Sequence, residues 1–157
     1  MSRGPLVPAI CFTLLLLAST SSTLRAANTG GGCTASSTVL CVDNNPGDHR
    51  FKITVTFSTT QGGGRSGSGE AISLSSLGVD HGGLFWFFSA DNPELLIKVL
   101  NACASNGKFW VFYSAGTNVG FTVTVEDTLD SQQKTYTNPD LTPAAPVQDT
   151  SALGCPA

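Results

Sequence analysis

Two aromatic runs, Leu84-Phe85-Trp86-Phe87-Phe88-Ser89 and Phe109-Trp110-Val111-Phe112-Tyr113, constrain the fold of this chain more than any other feature. Their eleven positions hold eight of the chain's thirteen aromatic side chains, including both tryptophans. A short apolar run without polar alternation reads as a strand buried on both faces, so the two runs are expected as neighbours in the core. Between them, Leu95, Ile97 and Val99 alternate with Glu94, Leu96, Lys98 and Leu100. The leucines would also suit a helical turn or two, but eight residues between two strand-like runs read as a strand. Asn106-Gly107 then offers the positive φ angles of a tight hairpin turn.

The rest of the chain supplies partners for these strands. Residues 38–43 can form a short edge strand, and Asn44-Asn45-Pro46-Gly47-Asp48 is a strong turn signal. Phe51, Ile53, Val55 and Phe57 alternate with Lys52, Thr54, Thr56 and Ser58, the period of a strand with one face buried and one wet. Residues 59–69 contain five glycines and no apolar side chain, and are expected as an exposed, mobile connection. A short strand follows at 70–74, another half-buried strand around Phe121, Val123 and Val125, and a last one at 134–137. From Asn138 onward, prolines at 139, 143, 146 and 156 forbid regular pairing, so an extended tail is expected there. Seven or eight strands without a long helix predict an all-β fold, an antiparallel β-sandwich of immunoglobulin-like architecture, with a small β-barrel as the alternative.

The N-terminus reads as an address. Arg3 gives a short positive region, residues 10–18 an apolar core of signal-peptide length, and 19–23 a Ser/Thr stretch. The apolar run is too short to span a bilayer, so no membrane span is expected after its removal. The expected organisation is a signal peptide over 1–26, a flexible leader over 27–37, a sandwich domain over 38–138 and a Pro-rich tail over 139–157. The reading places the protein as secreted or periplasmic. Four cysteines then remain, Cys33, Cys41, Cys103 and Cys155, and an even number in an exported chain implies disulfides. Local closure pairs Cys33 with Cys41, which leaves Cys103 to tie Cys155, and with it the tail, to the core.

Several of these residues together resemble a known family. Phe85-Trp86-Phe87-Phe88-Ser89-x-Asp91-Asn92-x-Glu94-Leu95, Lys98-Val99-Leu100, Phe109 to Tyr113, Asn118-Val119, Phe121-Thr122-x-Thr124-Val125-x-Asp127-Thr128 and Asp149-Thr150 are similar to a secreted β-module of environmental bacteria. That module occurs alone or appended to larger exported proteins, including hydrolases. The Cys33 and Leu40-Cys41 opening and the Arg50-Phe51 start of a strand also match, so the likeness runs from Cys33 to Cys155. It departs at Phe57, where relatives commonly carry a Trp or other bulky residue, and at the glycine-rich 59–69, where they have a short polar loop. The resemblance implies export and a β fold and carries over no site residues.

Candidate chemistry is sparse. Asp43, Asn45 and Asp48, with Asn44 between them, offer oxygen ligands that could hold calcium, but no glycine-centred loop with a distal bidentate Glu completes the pattern, and these are also ordinary turn residues. Asp91, Asn92 and Glu94 form a second acidic cluster, which equally reads as a turn that fixes strand register. Asp80-His81 with a serine would make a hydrolase triad, yet no Gly-x-Ser-x-Gly surrounds any serine. Trp86, Trp110 and Tyr113 are the side chains that could stack on a sugar ring if one face of the aromatic strands points outward. A net charge of -3 with 12% charged residues shows no electrostatic footprint for nucleic acid. The expectation is an exported, non-catalytic binding or accessory module without cofactor, attaching to a glycan, a cell envelope or like subunits. The alternatives are a self-associating structural protein and a hydrolase with an unrecognised site.

Overall fold

A computed structural model describes Met1 and residues 32–156. Met1 aside, the expected signal peptide lies outside these residues, as does the leader up to Gly31. Among the described residues ten strands make two antiparallel sheets. The first contains β1 (Leu40–Val42), β2 (Phe51–Thr59), β8 (Gly120–Asp127) and β9 (Gln133–Asn138) in that order, with β3 (Arg65–Ser68) also on β2. The second runs β10 (Val147–Gly154), β7 (Lys108–Ala115), β6 (Leu95–Ala102), β5 (Gly82–Trp86), β4 (Glu70–Ser73). The sheets are not closed on one another, so the expected sandwich holds and the barrel does not.

Alternation builds the core. Phe51, Ile53, Val55 and Phe57 on β2 and Phe121, Val123 and Val125 on β8 face Phe85 on β5, Leu95, Ile97 and Val99 on β6, and Phe109, Val111 and Tyr113 on β7. Phe51 meets Phe109 edge-on at 4.9 Å at one end, and Phe57 stacks on Phe87 at 4.9 Å at the other. Burying such a side chain contributes roughly 1.5–3 kcal/mol before conformational entropy is subtracted. Gly83 leaves room for Leu40 of the first sheet: a Cβ there would lie 2.7 Å from both the Ile72 carbonyl oxygen and Leu40.

Five expectations are corrected. The aromatic runs are not buried on both faces, because Leu84, Trp86, Trp110 and Phe112 are only half-buried on the outside of the second sheet. Nor do β5 and β7 pair with each other, since β6 lies between them. Asn106-Gly107 closes a helical turn, α1 (Cys103–Asn106), with Gly107 left-handed at φ 70°, instead of a two-residue hairpin. Residues 59–69 contain β3, which needs no apolar side chains because its backbone pairs with the β2 segment Thr56–Thr59. The tail contains β10, eight residues that lie between Pro146 and Pro156 and pair with β7. In the leader, Cys33 is buried and its N–H donates to the His49 carbonyl at 2.7 Å.

The disulfides pair as expected, Cys33 with Cys41 and Cys103 with Cys155. Two such bonds fit an oxidising compartment. Among the described residues no helix is long and apolar enough to cross a membrane.

Candidate functional site

Strand parity puts one set of side chains of the second sheet outward. Cross-strand partners there are Ile72, Leu84, Leu96 and Ser114 in one row, then Gly82, Lys98, Phe112 and Gln148, then Leu100 and Trp110. Leu96 is 49% exposed, although it lies on β6, the central strand of the second sheet. Trp110 and Phe112 are i, i+2 neighbours with stacked rings, 5.9 Å apart at 22°. Lys98 Nζ lies 5.6 Å from the Phe112 ring centre, a cation over an aromatic face. The indole N–H of Trp110 donates to Asn106 Oδ1 at 3.1 Å, which fixes the ring against the α1 turn.

Each end of this pair opens on a cleft. Leu96, Lys98, Phe112, Ser114, Pro146 and Gln148 line one of about 220 Å³ between the sheet face and the start of β10. Trp110, Leu100, Asn101, Ser105, His81 and Asn44 line the other, of about 410 Å³. In that second cleft the Asn101 amide donates to Asn44 Oδ1 at 2.6 Å. Trp86 shares the outward face, one residue beyond the Phe85–Leu95 pair, whereas Trp110 stands opposite Leu100. Six residues of strand between those levels correspond to roughly 20 Å. Of the three sugar-stacking candidates, Trp86 and Trp110 therefore lie on one surface, while Tyr113 points inward, 6% exposed, edge-on to Phe121 and Tyr136. Burial pushes the Tyr113 hydroxyl up from its ordinary value.

The acidic candidates have other tasks. Asp43 accepts from the N–H of His49 at 3.0 Å and of Gly47 at 2.5 Å, and its Oδ1 lies 2.8 Å from His49 Nδ1. Burial alone would raise its carboxyl, but these N–H groups and the imidazole bring it below the usual range. Asp48 accepts from the backbone N–H of Asn44, Asn45 and Arg50. The oxygens that the calcium reading needed thus face backbone N–H groups and a histidine, and Asn45 contributes its amide as a donor to Asp48. Among the described residues no cluster of three or more His, Cys, Asp or Glu is placed to hold a metal ion. Asp80 and His81 are tied to the same loop: the Asp80 carbonyl accepts from the Asp43 N–H and His81 Nδ1 lies 2.8 Å from the Asp43 carbonyl oxygen.

In the second cluster Asp91 accepts from the Ser89 hydroxyl. Glu94 is 4% exposed, and it accepts from the Phe87 N–H at 2.6 Å and from the Asn92 amide at 3.2 Å. Burial outweighs these bonds and raises its carboxyl above the ordinary value.

Sequence reading missed two features. Arg50 and Asp127, 77 positions apart, form a buried pair with Nε to Oδ1 at 2.9 Å and Nη2 to Oδ2 at 2.5 Å, under Phe109. The available signals were an arginine directly before the clearest strand and Asp127 within the motif that carries the family resemblance. Arg65, in the supposed mobile loop, stands over the Phe88 ring at 4.7 Å. No protein-family model, no curated protein and no solved structure matches the chain.

Proposed function

We propose that this protein is an exported, non-catalytic module that binds a glycan across the outward aromatic face of its second sheet. The observation that carries the reading is the stacked Trp110–Phe112 pair, half-buried on the outer face of the sheet and flanked on both sides by clefts with amide, hydroxyl and ammonium groups. A sugar ring offers an apolar C–H face and a rim of hydroxyls, which is what an aromatic platform with polar neighbours complements. The span from Trp86 to Trp110 suits an extended chain of several sugar units better than a single one. Export agrees with the two disulfides and with the signal-like N-terminal segment. The test is retention of the mature protein on insoluble polysaccharides and on cell envelopes, with Trp110→Ala alongside. Retention that depends on Trp110 supports the proposal, and retention unchanged by Trp110→Ala overturns it.

A second reading has its own observation. Leu96 at 49% exposure, with Leu84 and Ile72 beside it, makes an apolar row that a like subunit could cover. Light scattering over a concentration series separates the two: a monomer at high concentration removes self-association.

A further inference from the structure

The core contact Phe57–Phe87 marks the end of the sandwich away from Phe51, Phe109 and the disulfides. Three loops meet at that end, the one carrying β2 into β3, the one from β5 to β6 and the one from β7 to β8, and between them lies a cleft of about 440 Å³. Its chemistry differs from that of the aromatic face. Glu94 lines it as a nearly buried carboxylate. Asn92, Asn118 and Gln61 bring one side-chain amide from each loop, and Gln61 Nε2 donates to Asn118 Oδ1 at 3.2 Å. That bond leaves the Asn118 N–H₂ and the Gln61 carbonyl for another partner. Arg65 stacks its guanidinium on Phe88 and, among the described residues, has no carboxylate within salt-bridge reach.

An arginine stacked on a ring keeps the edge of its planar fork free, and that fork fits a carboxylate with two parallel hydrogen bonds. One cation is too little for a phosphate or sulfate, whose charge calls on several donors. A nucleobase would need an open ring face, and Phe88 is covered by Arg65. The remaining groups, amides that both donate and accept beside a carboxylate that accepts, fit neighbouring hydroxyls. We propose that this cleft binds a sugar acid, with Arg65 on the ligand's carboxylate and Asn92, Asn118 and Glu94 on its hydroxyls. The site is separate from the aromatic face. Asp140 preorganises it by accepting from the Thr60 N–H at 2.8 Å and the Thr60 hydroxyl at 2.9 Å, which anchors the turn that leads to Arg65. In that turn Gly63, at φ 91°, adopts a backbone conformation that a side chain would strain.

Side-chain N–H signals of Arg65, Asn92, Asn118 and Gln61 in the full chain, followed by NMR, read the site directly. Glucuronate is expected to shift them saturably, while glucose and acetate each bind roughly tenfold more weakly or worse, since each lacks half of the recognised groups. Arg65→Gln, an exposed change that leaves the core untouched, is expected to lower glucuronate binding to the level of glucose. Asn118→Ala should weaken glucuronate without touching acetate, and Trp110→Ala should leave both as they are. No saturable shift with glucuronate, equal binding of acetate, or undiminished binding by Arg65→Gln would overturn the proposal. Loss of these shifts in Trp110→Ala would also overturn it, by moving the sugar to the aromatic face. The retention assay on insoluble polysaccharide reads that face independently, so the two sites fail or stand separately.

Discussion

The two outward faces of the sandwich solve the same physical problem with opposite side chains. On the first sheet, Thr54, Thr124 and Thr135 form one cross-strand row and Thr56, Thr122 and Thr137 the next, with Lys52, Glu126 and Gln133 beyond. Threonine keeps the β-branched shape that suits a pleated strand and gives its hydroxyl to water, so this face needs no partner. On the second sheet the equivalent rows hold Leu84 and Leu96, then Lys98 and Phe112, then Leu100 and Trp110. Both sheets have the same period and the same kind of inward core. The fold therefore does not require aromatic residues outside, and their presence on one face only is the difference that the proposed glycan-binding reading rests on.

The largest expected effect comes from unfastening the aromatic sheet. Cys103–Cys155 spans 52 positions and Cys33–Cys41 only 8, and the chain-entropy model gives about 4 kcal/mol for the first and about 2.5 kcal/mol for the second. Cys155→Ser should thus lower the melting temperature more than Cys33→Ser. It should also open β10 to proteolysis and weaken glycan retention, because Pro146 and Gln148 wall the groove beside Phe112. Equal melting shifts for the two variants would show that β10 is held by its ladder with β7 alone.

Next in size is the platform itself. Trp110→Ala is expected to reduce glycan retention roughly tenfold or more, the range of a central aromatic anchor. Thr124→Ala, its counterpart in the centre of the other face, should leave retention unchanged. A loss with Thr124→Ala would place the ligand on the wrong sheet and break the comparison.

The sheets are also joined at one edge by a charge. Asp149 on β10 accepts from the Tyr136 hydroxyl of β9 at 3.0 Å and pairs with Lys134 Nζ at 3.0 Å. Burial would raise its carboxyl, but the Ser151 N–H, Lys134 and Tyr136 hold it down at about 2. The unfolded chain, whose aspartate has a pKa of about 3.9, takes up the proton first as the pH falls. The stabilisation is therefore complete above that value and lost as the pH drops through about 2. Its size is on the order of 2 kcal/mol. Asp149→Asn should flatten the acid limb of a stability profile between pH 4 and pH 2, and an unchanged limb would mean that other carboxylates control it.

Much of this contrast was legible in the sequence. The Lys52 to Ser58 alternation announced the wet face, and the unbroken runs at 84–88 and 109–113 announced that the other sheet was different. What the runs could not say is whether their second face met protein or solvent, because an apolar residue reads the same against either. Three further features were hidden for other reasons. β3 has only Arg, Ser and Gly, and pairs through backbone groups that carry no side-chain signature. The Arg50–Asp127 pair and the Arg65–Phe88 contact join positions far apart in the chain, so local pattern does not register them.

The smallest expected effect on stability tests the comparison most directly. Leu96→Thr gives the centre of the aromatic face the residue that fills the other face, and Leu96 is already 49% exposed. Its neighbours across the strands, Leu84 and Ser114, leave room for a β-branched side chain on an outward position. The gain in β propensity offsets the little apolar burial that is lost, so the change in stability should stay within about 0.5 kcal/mol, as for most surface substitutions. Binding responds differently, because Leu96 walls the cleft that holds Lys98 and Phe112. Leu96→Thr should therefore weaken glycan retention while the thermal melt stays in place, and it should suppress any concentration-dependent association through the apolar row. A drop of 2 kcal/mol or more, the size expected for a truly buried leucine, would mean that Leu96 is packed against something in the native protein. The two faces would then differ because one of them is covered, and the aromatic strands would be core after all.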